Sequence, residues 1–600
     1  MASVYECNQL GEQNIMHDLL IHGGTVIDGT GTPARPASVA IKDGVIAAVG
    51  HDLGEAAQEI DATGLLVTPG WVDIHTHYDG QATWDSHLTP APWNGVTTVV
   101  MGNCGVGFAP VHRDKHDFLI QLMEGVEDIP GSALAEGITW EWETFEEYLD
   151  ALDARDFAID IGTQVPHGAV RAYVMGEAGA NNEQANAQQI ASMAEIVKAG
   201  LGAGALGFST SRTMLHRAKS GELVPGTNAS SDEVLGIGRV LGEVGHGVFQ
   251  VAGDYLPEED ELGWMKQLGR ETGRRVLFSM VQSAGDPEQW RRLLRAAADD
   301  AAEGGTLTPQ ISARPVGLLL GFESSVHPFI LHPNYWPLME LSVEERRARL
   351  ATPEVRAAIL SEPPDYTQFD GVVAMITHGF DNMFILGEQP NYEPAPEQSV
   401  AAIAAREKRE PQEVIYDIMA SHNGEGLIFL PMLGYVDGNL DATAEMMRHP
   451  NSIYGLADGG AHCGLVSDAS IPTFLLTHWA RDRTRGDRIP IEELVENQTR
   501  RTAQCYGLYD RGVIAPGMRA DINVIDYDKL HIHAPRLVYD LPADGKRFVQ
   551  DITGYHATIC NGEVIYRNGK PTGKLPGKLI RGPQAAPTNA TIETTINATT

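Results

Sequence analysis

The chain has 600 residues and carries 44 lysines and arginines against 80 aspartates and glutamates, which gives a formal net charge of −36 at pH 7. A surface of this sign repels polyanions, so we expect no nucleic-acid partner. The length exceeds one ordinary domain, but a barrel with insertions absorbs more than about 400 residues and leaves a remainder for a smaller second domain.

The two ends of the chain differ from the rest in composition. Residues 1–16 are treated as an N-terminal arm and lack the basic and apolar regions of a signal peptide, and no apolar run approaches the roughly 18 residues that span a bilayer. We therefore expect no membrane segment. The five cysteines are odd in number and lack paired spacing, which a reducing compartment permits, so we expect a cytoplasmic protein. Residues 581–600 lack periodic apolar positions and are predicted to be disordered.

Between these ends the chain alternates between strand-like and helix-like patterns. Residues 17–68 and 509–580 alternate like half-buried antiparallel strands. Residues 69–508 contain eight apolar runs separated by helical periodicity, which predicts an α/β fold with a (β/α)8 TIM-type barrel. An insert at about residues 315–411 is longer than a barrel loop needs and is predicted to act as a lid. The eight runs lie at residues 72–77, 96–104, 158–167, 205–210, 247–252, 275–280, 306–311 and 452–458.

Potential metal ligands stand at the ends of three of these runs. His75 and His77 are two residues apart, so in a strand their side chains leave the same face. Cys104 ends the second run and Asp458 ends the last. Because the carboxyl ends of parallel strands meet at one mouth of a barrel, we predict a metal centre formed by these four residues. Asp73 is predicted to orient one imidazole from behind.

The assignment of Cys104 has an alternative. A free cysteine at a strand end is often a small buried apolar residue. The neighbours Asn103 and Gly105 predict a turn rather than a packed core, which favours the ligand. Cys463, five residues beyond Asp458, is the other candidate thiol.

Three motifs together carry a family resemblance. They are G-G-x-V-x-D-G at residues 23–29, P-G-x-x-D-x-H-x-H at residues 69–77 and G-x-x-x-P-G-x-x-A-D at residues 512–521. The chain resembles the amidohydrolase superfamily over most of its length, and within it the N-acyl-D-amino-acid deacylase (D-aminoacylase) branch. The resemblance implies a small β-sandwich built from both chain ends and a general base and acid role for Asp458. It also supports Cys104, because that branch places a cysteine at a characteristic interval after the H-x-H pair, here 27 residues.

The chain departs from the family pattern on two middle strands, where the family places histidines that hold the tighter-bound metal. Met280 occupies one expected position, and residues 306–314 contain no histidine. We therefore expect one divalent cation, with Zn²⁺ as the first choice, on His75, His77 and Asp458 with or without Cys104; two ions remain an alternative. The available replacement ligands are His216, His378 and His462.

Five further residues are candidates for substrate binding. Gln250, Gln282 and Gln310 lie near the ends of three consecutive predicted strands, where their amides would hydrogen-bond a substrate or would simply be tolerated. Arg314 offers a fork that matches a carboxylate, or it pairs with an acidic neighbour. His167 matches a family Gly-His-x-x-x-Arg strand except for a preceding proline, and it either polarises a carbonyl or makes a structural hydrogen bond.

These features predict a metal-dependent hydrolase that cleaves a linear amide of an N-acyl amino acid or related N-acyl amine, a small-molecule substrate. The cation would activate water and Asp458 would transfer the proton to the departing amine. We also expect a homo-oligomer. The alternatives are a cyclic amide or lactone hydrolase and, in another class, a non-catalytic amidohydrolase-like scaffold. Relatives of the first kind often use a bridging carboxylated lysine, which these strand ends lack, and the presence of His75, His77 and Asp458 argues against the scaffold.

Overall fold

The computed structural model describes residues 16–365, 376 and 378–588. The strands in this part of the chain are β1 (His17–Val26), β2 (Arg35–Lys42), β3 (Val45–Gly50), β4 (Ala56–Asp61), β5 (Leu66–Pro69), β6 (Trp71–Asp73), β7 (Val96–Met101), β8 (Asp160–Thr163), β9 (Val165–Pro166), β10 (Gly207–Arg212), β11 (Val248–Gly253), β12 (Val276–Met280), β13 (Leu307–Ile311), β14 (Val316–Leu320), β15 (Phe384–Leu386), β16 (Leu427–Leu433), β17 (Ile522–Ile525), β18 (His531–Leu541), β19 (Gly545–Thr553), β20 (Tyr555–Cys560), β21 (Glu563–Arg567) and β22 (Lys570–Pro571).

The helices alternate with the strands of the central region and fill the insert. The α-helices of the described residues span His116–Glu127, Gly131–Gly137, Phe145–Asp153, His167–Met175, Glu177–Ala180, Ala187–Ala203, Ser231–Gly238, Val240–Val244, Glu258–Thr272, Gln289–Ala302, Trp336–Met339, Val343–Leu350, Pro353–Ser361, Val400–Glu407, Pro411–Gly424, Asp441–Arg448, Ile471–Phe474, Ile491–Glu496 and Thr502–Cys505. No helix in the described ranges combines the length and apolar character needed to cross a bilayer.

The central strands pair in parallel and in chain order. One sheet runs β6-β7-β8 and the other β9-β10-β11-β12-β13, and β8 and β9 are separated by a single residue, Gln164. All six residues of β7 are buried and five of them are valine or threonine, as expected of a β-branched strand covered on both faces. The mixed α/β class is confirmed, and the parallel sheets are consistent with a TIM barrel.

The eighth apolar run forms isolated bridges instead of a regular strand. Ile453 pairs in parallel with Gln310 of β13, and Gly459 pairs in parallel with Thr76 just beyond β6. These two bridges place residues 453–459 between the first and the seventh parallel strands. Its irregular backbone includes Gly455 at φ 76° and Asp458 at φ 50°, which explains why no continuous strand forms.

The helices follow ordinary sequence signals. Helix Ala187–Ala203 begins with a capping box, in which the Asn186 side chain accepts from the backbone N–H of Gln189 and the Gln189 side chain accepts from that of Asn186. The helix ends at Gly204, which has a φ of 118°, a left-handed conformation that glycine adopts without a clash of a Cβ atom. Helix Gln289–Ala302 buries an apolar stripe against the strands, as periodicity predicts.

Both chain ends build one β domain. Its nine-stranded sheet joins β1 to β5 with β17 and β20 to β22, and β5 pairs antiparallel with β17 to link the two ends. The domain has its own core, which includes Val39, Val67 and Ile522. The hairpin β18–β19 is separate from this sheet. The hairpin instead contacts the loop that follows residues 453–459, where the Phe548 backbone N–H donates to the Cys463 carbonyl at 2.7 Å.

The insert differs from the predicted lid in extent and packing. Strand β14 pairs with β16, and β16 pairs with β15, so the unit extends to Leu433 and beyond the predicted limit of residue 411. Phe329 and Tyr335 are buried in a core of the insert itself, and Leu331 is also fully buried. A non-local strand pairing closes this unit, and local periodicity carries no signal for such a pairing.

The predicted disorder of residues 581–600 is wrong for their first part. Residue Gln584 bridges to Leu508, and Gly582 donates its backbone N–H to the Gly204 carbonyl at 2.8 Å. Arg581 also pairs with Asp150 at 2.7 Å. Residues 589–600, and residues 1–15 of the predicted arm, lie outside the described residues.

Candidate metal centre

Backbone pairing brings the H-x-H segment against the last parallel segment. The Asp458 N–H donates to the His75 carbonyl at 3.0 Å, and the His77 N–H donates to the Gly459 carbonyl at 2.8 Å. The following turn requires Gly460, which has φ 91° and where a Cβ would lie 2.9 Å from the His77 carbonyl oxygen. The fold therefore holds the Asp458 carboxylate beside both imidazoles.

Four of the predicted ligands converge at this point. His75 Nε2 lies 3.2 Å from Cys104 Sγ and 3.5 Å from Asp458 Oδ1. His77 Nε2 lies 3.3 Å from the same Asp458 oxygen. One ligand atom each from His75, His77 and Cys104 fits within 4.8 Å of the others. Two imidazole nitrogens, a sulfur and a carboxylate oxygen form a donor set that suits Zn²⁺.

The His75 ring is held from behind by Gln310. Gln310 Nε2 donates to the Gly455 carbonyl at 3.0 Å, so its Oε1 faces His75 Nδ1 at 3.1 Å. His75 Nδ1 then carries the proton, and Nε2 presents its lone pair to the cluster. Gln310 thus positions a ligand and is not placed for the predicted substrate contact. Asp73 does not orient the imidazole either, because it accepts from the His75 backbone N–H at 3.4 Å.

A buried carboxylate that the sequence analysis missed lies behind His77. Glu127 Oε1 is 3.3 Å from His77 Nδ1, and Glu127 Oε2 is 3.7 Å from His462 Nε2. Glu127 ends helix His116–Glu127, four and eight residues after the buried Met123 and Leu119. A carboxylate in register with an apolar stripe was the available sequence signal.

His462 lies beside both Glu127 and Asp458. Its Nε2 lies 3.6 Å from Asp458 Oδ2, on the side of the carboxylate that faces away from His75 and His77. Its backbone sits at φ 50°, as does that of Asp458. Of the three predicted replacement histidines, His462 is the one that the structure places against Asp458.

Several buried polar atoms of the cluster have no hydrogen-bond partner among the described residues. They are both ring nitrogens of His77, Oδ1 of Asp458 and Oε1 of Glu127. Buried polar groups are nearly always paired, so an unpaired group calls for an explanation. A cation site requires ligand atoms that converge on one point and do not form hydrogen bonds with one another. The residues present therefore fit a divalent metal ion.

The turn that carries Cys104 is braced on three sides. Its left-handed backbone, at φ 55°, lets its N–H donate to Gln250 Oε1 at 3.0 Å. Asn103 Nδ2 donates to the Thr76 and Val100 carbonyls at 3.1 and 2.9 Å. Gln250 therefore supports the Cys104 turn. Its own Nε2 is buried and has no partner within the described ranges.

Burial and neighbouring charges shift the pKa values of the titratable groups of the site in different directions. Burial lowers the pKa of His75 to about 4, which keeps this ring neutral. Burial also acts against the charged form of His77, but Glu127 and Asp458 outweigh it and raise the pKa of His77 to about 8. Burial, with Glu127 and Asp458 nearby, raises the pKa of the Cys104 thiol well above its ordinary value. A thiolate at this position therefore needs a cation beside it.

His167 belongs to a separate buried cluster. Its Nδ1 lies 2.9 Å from Thr210 Oγ1 and its Nε2 lies 3.0 Å from Glu233 Oε1. Arg171 Nε donates to the same Glu233 oxygen at 2.7 Å. His167, Arg171 and Glu233 are each fully buried. These contacts correspond to the structural alternative, and they leave neither ring nitrogen of His167 for a substrate.

Arg314 and Gln282 are also engaged within the protein. Arg314 pairs with Asp468 and lies 4.0 Å over the ring of Tyr392, which corresponds to the acidic-neighbour alternative rather than to substrate binding. Gln282 Nε2 donates to Asp437 Oδ2 at 2.8 Å, away from the four ligands. The structure therefore does not bring these two side chains into the metal cluster.

The remaining candidates lie at the edge of the site or outside it. His216 Nδ1 lies 3.0 Å from Ser211 Oγ, and burial together with nearby His462 and His77 lowers the pKa of His216 to about 3. His378 is exposed. Cys463 Sγ donates to the Gly460 carbonyl at 3.6 Å, so Cys104 and not Cys463 is the thiol that lies in the candidate cluster with His75 and His77.

Comparisons with known proteins identify the family of this chain. The profile of the Amidohydrolase family matches residues 58–566. D-aminoacylase of Alcaligenes xylosoxydans xylosoxydans is 26% identical over 580 residues, which cover 94% of this chain and 97% of that protein. The resemblance stated from the three motifs is therefore confirmed.

Solved structures support the fold. A structure of D-aminoacylase, described for its binuclear metal centre, has a TM-score of 0.62 at 24% identity and covers 94% of this chain and 100% of its own. N-acyl-D-glutamate deacylase from Bordetella bronchiseptica, complexed with zinc and a phosphonate inhibitor, has a TM-score of 0.62 at 23% identity with the same coverage. The profile match spans most of the sequence, and on that ground the chain belongs to the amidohydrolase family.

Proposed function

We propose that the chain is a metal-dependent hydrolase that cleaves the linear amide bond of an N-acyl amino acid or a related N-acyl amine. The observation that carries this proposal is the convergence of His75 Nε2 and His77 Nε2 on one oxygen of Asp458, with Cys104 Sγ beside them. The similarity to D-aminoacylase supports the choice of a linear amide.

His75, His77 and Asp458, with Cys104 as a fourth donor, would hold one divalent cation, for which Zn²⁺ is the first choice. Such a cation supplies Lewis acidity, which polarises a carbonyl and makes water a stronger acid. Gln310 and Glu127 would keep the two imidazoles aimed at the same point. Asp458, His462 and Glu127 offer donors toward a second ion, so a count of two remains an alternative.

Asp458 has the position of a proton carrier. Its Oδ1 faces the two imidazoles, while its Oδ2 faces His462 Nε2 at 3.6 Å. His462 and His77 outweigh the effect of burial and hold the pKa of Asp458 well below its usual range, so the carboxylate begins as the base. It would accept the proton of the attacking water and then return it to the departing nitrogen.

The finer architecture is part of this proposal. We infer a closed (β/α)8 barrel over residues 69–508 and a β-sandwich from residues 17–68 and 509–580. The parallel bridges of Ile453 and Gly459, and the pairing of β5 with β17, support this division. A cytoplasmic location and a homo-oligomeric state remain predictions.

A substrate panel tests the proposed activity. Purified protein supplied with Zn²⁺ is assayed against N-acyl amino acids of both hands, and against hydantoins and lactones at matched concentrations. Release of free amino acid from the N-acyl compounds alone is the expected result. Turnover of hydantoins or lactones alone would replace the linear amide by a cyclic substrate.

Metal content separates the enzyme from a non-catalytic scaffold. Elemental analysis of protein purified without added metal is expected to find close to one Zn²⁺, Mn²⁺ or Co²⁺ equivalent per chain, or to find that the protein takes one up on addition. Less than about 0.1 equivalent per chain with no uptake would favour the scaffold.

A further inference from the structure

A large cavity lies at the end of the barrel opposite the metal centre. Its volume is about 700 Å³. Its lining residues come just before or at the start of parallel strands, for example Leu206 before β10, Arg275 before β12 and Thr306 before β13. The metal ligands, in contrast, follow the strands. The cavity is therefore distinct from the proposed active site.

Three arginines line this cavity without a carboxylate partner. Arg274, Arg275 and Arg501 take part in none of the ion pairs found among the described residues. This is unexpected in a chain with 80 acidic residues and 44 basic ones. The hydrogen bonds of these arginines go to neutral oxygens: Arg274 Nη1 to the Gly245 carbonyl at 2.6 Å, Arg275 Nη1 to Thr308 Oγ1 at 2.8 Å, and Arg501 Nη2 to the Pro450 and Ser452 carbonyls at 2.7 and 2.8 Å.

Residues of the cavity wall also carry buried polar atoms without partners. Ser452 is fully buried in the wall, and its hydroxyl makes no hydrogen bond within the described part of the chain. Arg274 Nε and His246 Nδ1, both of lining residues, are likewise unpaired. These three atoms are enclosed in the wall and add to its polar character.

The nearest acidic groups form no ion pair with these arginines. Glu496 is paired with Arg500, and both Glu496 and Glu493 act on Arg501 only from beyond ion-pair distance. Burial, reinforced by Arg275 and Arg500, lowers the pKa of Arg501. The three guanidinium groups therefore create a local positive potential in an otherwise acidic protein.

We propose that this cavity binds a small polyanion, a molecule with at least two phosphate or carboxylate groups. Planar guanidinium forks match such oxyanions in geometry and charge. The volume lies within the range of about 300–1,000 Å³ typical of small-molecule sites. A neutral ligand would leave the three guanidinium groups, of which Arg275 is exposed and Arg274 and Arg501 are half-buried, without a counter-charge. The proposal does not depend on the proposed hydrolase activity.

Calorimetric titration of the full-length, metal-loaded protein with pyrophosphate, and separately with citrate, tests the proposal. We expect saturable binding that weakens as salt is added. The double variant R274Q/R275Q should weaken it by about tenfold or more, because each lost charge-assisted hydrogen bond is worth roughly that factor. The control R113Q/R567Q removes the same charge from exposed positions outside the cavity and should bind like the parent.

The results show where the anions bind and which class of anion the site prefers. Stronger binding of pyrophosphate would assign a phosphorylated ligand, and stronger binding of citrate a polycarboxylate. Both anions also chelate metals, so heat that persists unchanged in R274Q/R275Q would locate binding at the metal centre and overturn the proposal. Absence of saturable binding by either anion would also overturn it. If R274Q/R275Q fails to fold, Arg275→Lys replaces it, since it keeps the charge, removes the fork and should still weaken binding.

Discussion

Two fully buried histidines near the ends of the parallel strands have opposite surroundings. His167 uses both ring nitrogens, on Thr210 and Glu233, and Arg171 balances the charge of that carboxylate. His77 approaches Glu127 and Asp458 at 3.3 Å but makes no hydrogen bond through either nitrogen within the described residues. A satisfied buried network specifies structure, whereas an unsatisfied one marks a place where a ligand belongs. The two clusters should therefore respond differently to mutation.

The largest effect is expected on turnover from Asp458→Asn. The amide keeps an oxygen toward His75 and His77 but no longer accepts a proton, so kcat should fall by roughly 10²–10⁴-fold. Steady-state kinetics on the substrate found in the panel measures this change, and circular dichroism checks the fold. The control Asp437→Asn alters an exposed carboxylate that contacts Gln282 and should leave kcat unchanged. A variant of Asp458 within about tenfold of the parent would remove this residue from proton transfer.

The next largest effect is expected on the free energy of unfolding, and it comes from the hydrogen-bonded cluster of His167, Arg171 and Glu233. Glu233→Gln leaves the Arg171 guanidinium buried without its counter-charge, which should cost about 3–5 kcal/mol in the free energy of unfolding at neutral pH. The matched control Glu243→Gln breaks an exposed pair with Lys198 and should cost no more than about 1 kcal/mol. Denaturant unfolding measures both variants. Equal losses would mean that burial of the Glu233 cluster has no energetic consequence.

The difference in stability between the parent and Glu233→Gln should also depend on pH, and the pKa of Glu233 fixes the sign of that dependence. Burial opposes ionisation of Glu233, but His167 and Arg171 outweigh it and lower its pKa from the ordinary 4.5 to about 2. A depressed carboxyl pKa stabilises the fold above pH 4.5, and that contribution is lost as the pH falls from 4.5 toward 2. The stability gap between the parent and Glu233→Gln should therefore narrow over this window. A gap that widens on acidification would contradict the assigned ion pairs.

The sequence predicted those members of the candidate cluster that stand at the ends of parallel strands. His75, His77, Cys104 and Asp458 were expected to meet because parallel strands deliver their last residues to the same edge of a sheet, and the structure brings them together. Glu127 was missed because it comes from a helix, and helical carboxylates are usually solvated.

Side chains with two compatible roles could not be assigned from the sequence pattern alone. Gln310 was open to substrate binding or to simple tolerance at a strand end, because a strand pattern gives the face of a side chain but not the hydrogen bonds of its amide, which here go to His75 and Gly455. Arg314 had two compatible partners in the sequence, and only the fold decides between a substrate and Asp468. Side chains whose role is set by a non-local neighbour are therefore the ones that pattern analysis assigns poorly.

A smaller effect is expected on metal affinity from Gln310→Met. Without the acceptor for Nδ1–H, the His75 ring loses its fixed tautomer, which should weaken metal binding by roughly 10–100-fold. Competition with a chromophoric chelator measures the dissociation constant. Gln282→Met is the matched control, because that glutamine contacts Asp437 and not a ligand. Equal affinities of the two variants would show that Gln310 does not position His75.

The smallest effect is expected from Cys104→Ala. If the thiolate is the fourth donor, its loss leaves His75, His77 and Asp458 to hold the ion, so the protein should retain metal but with lower occupancy after dialysis against a weak chelator. Cys463→Ala is the matched control, since that thiol is also buried but bonds the Gly460 carbonyl. With cobalt in place of zinc, loss of thiolate-to-metal absorption in Cys104→Ala alone would identify the ligand directly. Unchanged occupancy and an unchanged spectrum would make Cys104 a packing residue, and the unpaired atoms of the site would then be those of His77, Asp458 and Glu127.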